Sequence, residues 1–276
     1  MFSGGFVAAS FILLFICIML PLFYIIFYVF KKKFNLVLML IGLAAFFLLG
    51  YLLTGLLTGT FAPSRLIGAV PPATYAIRRS LVVGLVRALS IWLVLLLLAK
   101  RYGSVIVPMS FAVGYSLIDM LLVRGATGYI AFSQALAVNQ NGIDYVVSTA
   151  DLTSQEALRE SILALAQKPA SLYVWGTVDS VCAFVGTVCL ARLLWYSIEG
   201  GIREENKLFV PVCLAAAVLL EIPGALYDGG AFSGYAPAGL IYYVMTALLV
   251  AGTIIAARNH DEKIGVAASR LRRRGR

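Results

Sequence analysis

Three carboxylates, Asp119, Asp179 and Glu221, stand in stretches that are otherwise suited to hydrocarbon, and Arg87 and Arg124 accompany them. A charge near the centre of a membrane helix costs at least about 2.5–3.5 kcal/mol, so each must face a partner or a water-filled cavity. Such a set supports three chemistries. The acids can hold a hard divalent cation such as magnesium or calcium, relay protons or cations across the bilayer, or pair with guanidinium groups and fix helix packing. Tyr115 and Asp119 are spaced i,i+4 and share a helix face, whereas Arg124 lies five residues beyond Asp119, points elsewhere and is expected to snorkel toward the outer interface.

Other catalytic patterns are missing. The chain has no HExxH, no P-loop and no GxSxG, and Ser90, Ser116 and Thr187 have no histidine or lysine base nearby in sequence. His260, the single histidine, falls in the basic C-terminal stretch and reads as solvated. Cys17, Cys182, Cys189 and Cys213 lie inside apolar stretches without CxxC spacing, which makes them buried small hydrophobes rather than a disulfide framework or a zinc knuckle.

The elements that must position these residues are membrane helices. The 276 residues are 61% hydrophobic and 13% charged, against roughly 45–50% apolar in a soluble domain. This predicts an all-α, polytopic membrane protein of about seven transmembrane helices, with one integral domain over 1–257 and a basic cytoplasmic tail over 258–276. The net charge of +9 comes from juxtamembrane clusters and the tail RLRRRGR, so it points to topology and to anionic lipid at the tail rather than to nucleic acid.

The expected spans are 6–30, 34–58, 80–99, 105–137, 171–196, 209–227 and 236–257. The first is a retained helix kinked at Pro21, and Gly55 and Gly59 in the second form a small-xxx-small pair suited to close helix contact. Residues 59–79 are expected to be an irregular external loop. The fourth span is either one long helix or broken near Arg124–Gly125. An external insert over 139–170 carries a short amphipathic helix, N-capped at Thr153 or Ser154 with a following Glu, that lies on the surface as a lid. Measured along the helices at ~1.5 Å per residue, all three acids fall in the outer half of the bilayer. About 15 Lys and Arg then face inward against about 5 outward, which sets the N-terminus outside and the C-terminus in the cytoplasm. The last span contains no lysine, which excludes a retinal Schiff base.

PLFYIIFYVFKKKF, IGLAAFFLLGYLLTGLL, the third span at Gly84–Leu85, the fourth at Gly114, the outer insert and EIPGALYDGG follow one another in an order that resembles the YhfC family of intramembrane metallopeptidases, relatives of the PrsW-type and CAAX-processing membrane proteases. The resemblance implies that scaffold and a metal centre with defined positions. Where the family carries Gly-Leu-x-Glu-Glu and then an arginine, this chain has Gly84, Leu85, Val86, Arg87 and Ala88, with Ile91 in the arginine's place. Gly-His-Gly-x-x-Glu on the fourth span is matched by Gly114, Tyr115, Ser116 and Asp119. The fifth span has Asp179 and Thr187 in place of a Glu and a later histidine, and the sixth has Ala217 and Glu221 in place of His-x-x-x-Asp. Acids persist while the histidines and the paired glutamates are gone.

A zinc centre needs about three protein ligands, usually with imidazole, and a carboxylate to handle the proton of the bound water. The reading that follows is a plasma-membrane, multi-pass pseudo-peptidase that binds a membrane partner, such as a transmembrane helix or a lipid, with no cofactor. Its residual site comprises Arg87, Tyr115, Asp119, Asp179, Thr187 and Glu221, with Arg87 as the positive centre whose planar fork can bind two of the three acids. The alternatives are a metal-dependent peptidase with Asp119, Asp179 and Glu221 as ligands, and a proton- or cation-coupled transporter using the same acids. The orientation is tested by reporter fusions. One placed after Arg276 is expected in the cytoplasm and one near Asn141 outside, and finding both on the same side would overturn it.

Overall fold

The computed structural model describes residues 1–31, 34–102, 106–151, 153–199 and 208–274. They form helices α1 (Gly4–Phe30), α2 (Leu36–Phe61), α3 (Pro72–Ala99), α4 (Ile106–Asn141), α5 (Ile143–Ser148), α6 (Gln155–Ala166), α7 (Ala170–Glu199), α8 (Phe209–Asp228) and α9 (Tyr235–Arg274), and there is no strand among the described residues. Seven of them are long and apolar enough to cross a membrane: α1 to α4, α7, α8 and α9 over Tyr235–Asn259. The chain is an all-helical, multi-pass membrane protein. The inner loop expected between α7 and α8 and the side chains of the tail, His260 included, lie outside the described residues, while the backbone of the expected tail continues α9 as helix to Arg274.

Two compact units make up the fold. The first comprises Met1–Lys32 and Ser116–Phe184, the second Lys33–Tyr115 and Val185–Arg276.

In the first unit, α1 begins at Ser3, whose side chain accepts from the Phe6 amide, and it runs on through Pro21. Its buried side chains Phe6, Ala9, Ser10, Leu13 and Cys17 recur at helical spacing and make one packing face. That face meets the second half of α4 at glycines, for a β-carbon on Gly128 would lie 3.0 Å from the Leu14 amide nitrogen and 3.1 Å from the Ser10 carbonyl oxygen. The Asn139 carboxamide accepts from the Phe2 amide at 2.8 Å and donates to the Phe2 carbonyl at 3.0 Å, tying the start of the chain to the end of α4.

The polar insert of this unit is helical in two pieces. Gly142, at φ +84°, makes the turn from α4 into α5. An Arg159–Asp144 ion pair joins α6 to α5, and α6 buries Ile162 and Leu165. The expected amphipathic helix is there, but the expected N-cap bond is not. Ser154 precedes α6 with a near-helical backbone, and its hydroxyl donates to the Asp151 carbonyl instead of accepting from a helix amide. A serine in that geometry closes its own local turn, which competes with capping.

In the second unit the glycines that permit backbone contact are not those expected. Gly55 and Gly59 have open space around them, so that small-xxx-small pair makes no helix contact. A β-carbon on Gly42 of α2 would meet the backbone of Phe111 and Tyr115, and one on Gly114 of α4 would meet the backbone of Met39. α3 packs antiparallel to α8: Pro72 at its start touches Gly229 just past α8, while a β-carbon on Gly84 would sit 2.5 Å from the Val218 α-carbon. The region expected as an irregular loop over 59–79 is shorter than that. α2 continues to Phe61 and α3 starts at Pro72, because proline suits the first turn of a helix, where its missing N–H is no loss. Arg78 and Arg79 are therefore helical residues of α3.

α2 and α4 each contain a π-helical stretch, Phe46–Leu53 and Asp119–Gly125. The fourth span is thus one long helix, unbroken near Arg124–Gly125; it continues past Gly125 by widening its turn. Replacing Gly114 with valine should destabilise the protein strongly, since the clash is with backbone that cannot swing aside, whereas Gly55→Ala should be neutral or slightly stabilising. Thermal unfolding of both variants in detergent checks the contrast.

Candidate functional site

The residues singled out from sequence divide between the units. Arg87, Tyr115, Thr187 and Glu221 belong to the second, Asp119 and Asp179 to the first.

In the second unit, the close approach of α3 and α8 at Gly84 brings Arg87 to Glu221, with Nη1 2.6 Å from Oε1. The two side chains are 17% and 25% exposed, so the pair is shielded but not sealed. Toward the other end of the same helix pair, Arg79 binds Asp228, a second ion pair that the sequence did not suggest. A guanidinium keeps its charge at any accessible pH, so each arginine sets a fixed positive charge beside its acid.

Next to this pair lies Tyr115. Its ring is 1% exposed, set edge-on to Phe46 and tilted against Phe111. A β-carbon on Gly50 would come within 2.7 Å of its hydroxyl oxygen, so the π-helical part of α2 leaves space for the phenol by having glycine there. The hydroxyl lies 2.9 Å from Ser90 Oγ, and Ser90 donates to the Arg87 carbonyl at 2.8 Å. With the serine proton committed to that carbonyl, the tyrosine is the donor between them. Tyr115 therefore ties α4 to the turn of α3 that carries Arg87. Thr187 of α7 is buried, 4% exposed.

In the first unit, Asp119 is 8% exposed and its Oδ2 accepts from Arg124 Nε at 3.2 Å. This corrects the expectation that Arg124 faces away and snorkels. In an α-helix a fifth residue falls well past one turn, but the π-helical stretch Asp119–Gly125 closes i to i+5, so Arg124 stacks over Asp119. Close by, Cys17 of α1 is fully buried and its thiol lies 3.6 Å from Ser180 Oγ, which itself donates to the Gly176 carbonyl at 2.7 Å. The cysteines are free thiols, as expected. Asp179 adjoins Ser180 on α7 and is partly buried.

The donors of a hydrolytic metal can be compared with these residues. Among the described residues no three of His, Cys, Asp and Glu come together to hold an ion. Asp119 and Glu221 are each engaged by a guanidinium, which repels a divalent cation and occupies the oxygens such an ion would need. The described residues do not bring together the donor set of a zinc centre.

The family model described as YhfC intramembrane metalloprotease matches residues 16–245. Comparison with curated proteins and with solved structures gave no match.

The ion pair of α3 and α8 generates a test. Arg87→Ala should destabilise the protein by roughly 3–5 kcal/mol by leaving Glu221 shielded and unpaired, and Arg87→Ala with Glu221→Gln should recover part of that loss. A double-mutant cycle read by thermal or denaturant unfolding in detergent is expected to give a coupling energy of about 1–3 kcal/mol. Additive effects would mean the contact contributes nothing.

Proposed function

Because the chain belongs to the YhfC intramembrane metalloprotease family, we propose that it keeps the family's membrane scaffold without the hydrolytic centre and acts by holding a membrane partner, a transmembrane helix or a lipid, in the plasma membrane. The observation that carries this reading is the Arg87–Glu221 pair. The resemblance aligns Arg87 with the first glutamate of the family's paired motif, and its guanidinium lies 2.6 Å from Glu221, the acid of the sixth span. A metal-bound hydroxide needs a carboxylate free to accept a proton and imidazole or carboxylate donors around the ion. A fixed positive charge in that place supplies neither and opposes the metal electrostatically. Tyr115, in the position of the family's histidine, is an aromatic wedge whose hydroxyl is used in packing, which supports the same reading.

What remains is a set of membrane helices with the two acids neutralised in place. Such a framework can present a constant surface to a partner without reacting with it. In this reading the N-terminus is outside, the C-terminus cytoplasmic, and the basic tail rests on anionic lipid.

Metal analysis of protein purified without chelators tests the proposal together with a peptide-hydrolysis assay. The expected result is no stoichiometric zinc and no cleavage with zinc, magnesium or calcium added. Stoichiometric zinc that disappears in Asp119→Asn, or metal-dependent cleavage, would overturn it.

A further inference from the structure

Within the second unit, α2 and α3 enclose a groove of about 630 Å³ lined by Leu57 and Phe61 from α2 and by Leu81, Leu85 and Leu89, among others, from α3. Its wall on α3 follows a single helical row, Leu81, Leu85 and Leu89, and Arg78 stands one turn before that row and also lines the groove. The two helices are both candidate membrane spans, and Phe61 and Leu81 are exposed, so the groove opens onto what is hydrocarbon in a bilayer. It has an apolar floor and a single cation at one end.

That cation differs from its neighbour. Arg79 is bound by Asp228, whereas no carboxylate among the described residues pairs with Arg78, whose side chain is exposed. Its depth fits a headgroup. α3 has 28 residues, about 42 Å at 1.5 Å per residue, so it overreaches a core of about 30 Å by roughly 6 Å at each end. Arg78 lies six positions from Pro72, about 9 Å along the helix, which sets its guanidinium within snorkelling reach of the phosphate plane.

We propose that this groove is a binding site for one anionic phospholipid, with an acyl chain along Leu81, Leu85 and Leu89 and the phosphate on Arg78. The charge complements the ligand at the end of the groove where a headgroup must lie. Size favours one acyl chain over a partner helix: the groove falls in the range of small-molecule sites, ~300–1,000 Å³, while even three turns of helix at ~10 Å width displace about twice its volume. Arginine suits phosphate because its planar fork donates two parallel hydrogen bonds. The site goes beyond the function proposed above and does not depend on whether the protein hydrolyses peptides.

Native mass spectrometry of the full chain in detergent, titrated with phosphatidylglycerol and with phosphatidylcholine of identical chains, tests the site. The protein should retain one phosphatidylglycerol in preference to phosphatidylcholine. Arg78→Gln should weaken phosphatidylglycerol binding about fivefold, the worth of one basic residue at an anionic surface, and leave phosphatidylcholine unchanged. Leu85→Trp, which fills the groove, should reduce both, while Leu93→Trp, exposed on the same helix and outside the groove, should change neither. Equal retention of the two lipids, or Arg78→Gln without effect in a protein of normal thermal stability, would overturn the assignment. Zinc content and peptide cleavage are separate readouts, so failure here and failure of the pseudo-peptidase reading are told apart.

Discussion

A guanidinium cannot shed its charge to enter hydrocarbon, and this constraint fixes more of the structure than any other. A buried lysine can give up a proton and a buried acid can take one up, but an arginine must bring its counter-charge with it. Arg87 does so through Glu221 and Arg124 through Asp119. Each pairing dictates geometry around it. The first needs α3 and α8 near enough for side chains to meet, which Gly84 permits by letting the backbones touch. The second is made within one helix and needs that helix to change pitch.

Packing is achieved by similar means throughout. Apolar association is weak in lipid, where the surroundings are as apolar as the helix, so contact depends on close backbone approach and on hydrogen bonds. Gly42, Gly84, Gly114 and Gly128 provide the approach. The hydrogen bonds are short chains of hydroxyls and thiols that end on carbonyls: Tyr115 to Ser90 to the Arg87 carbonyl, and Cys17 to Ser180 to the Gly176 carbonyl. In both, a serine that bonds back to its own helix also accepts from a side chain on another helix, so it serves as a relay between helices while its own proton remains satisfied.

Much of the architecture was legible because hydrophobic length is a direct signal. All seven spans were placed from apolar runs, with errors at their ends; the largest was at Pro72, where a proline was taken as loop chemistry and serves as the first turn of a helix. Which residues carry charge in the membrane was equally legible. Their partners were not, because the sequence does not state which helices touch. Asp119, Asp179 and Glu221 were all on hand for Arg87, and it takes the packing of α3 on α8 to show that Glu221 is one it binds. The glycines show the same limit: Gly55 and Gly59 have the spacing of a packing motif and touch nothing, whereas Gly42, with no small residue four positions away on either side, sits against backbone. A single signal, the aspartate and arginine of DMLLVRG at a spacing that an α-helix would waste, hinted that the pitch changes there.

The widened turn in α4 has a further effect on how this helix is compared with others. Each residue of an α-helix advances the face by about 100°, so a stretch that accommodates an extra residue leaves everything after Gly125 out of phase with an unbroken α-helical count. A gapless superposition of this helix on a straight one therefore matches inward side chains with inward ones on one side of the bulge only. Between Asp119 and Gly125 a single-position gap is needed, and where it is placed decides which residue of a straight relative is taken as the counterpart of Arg124.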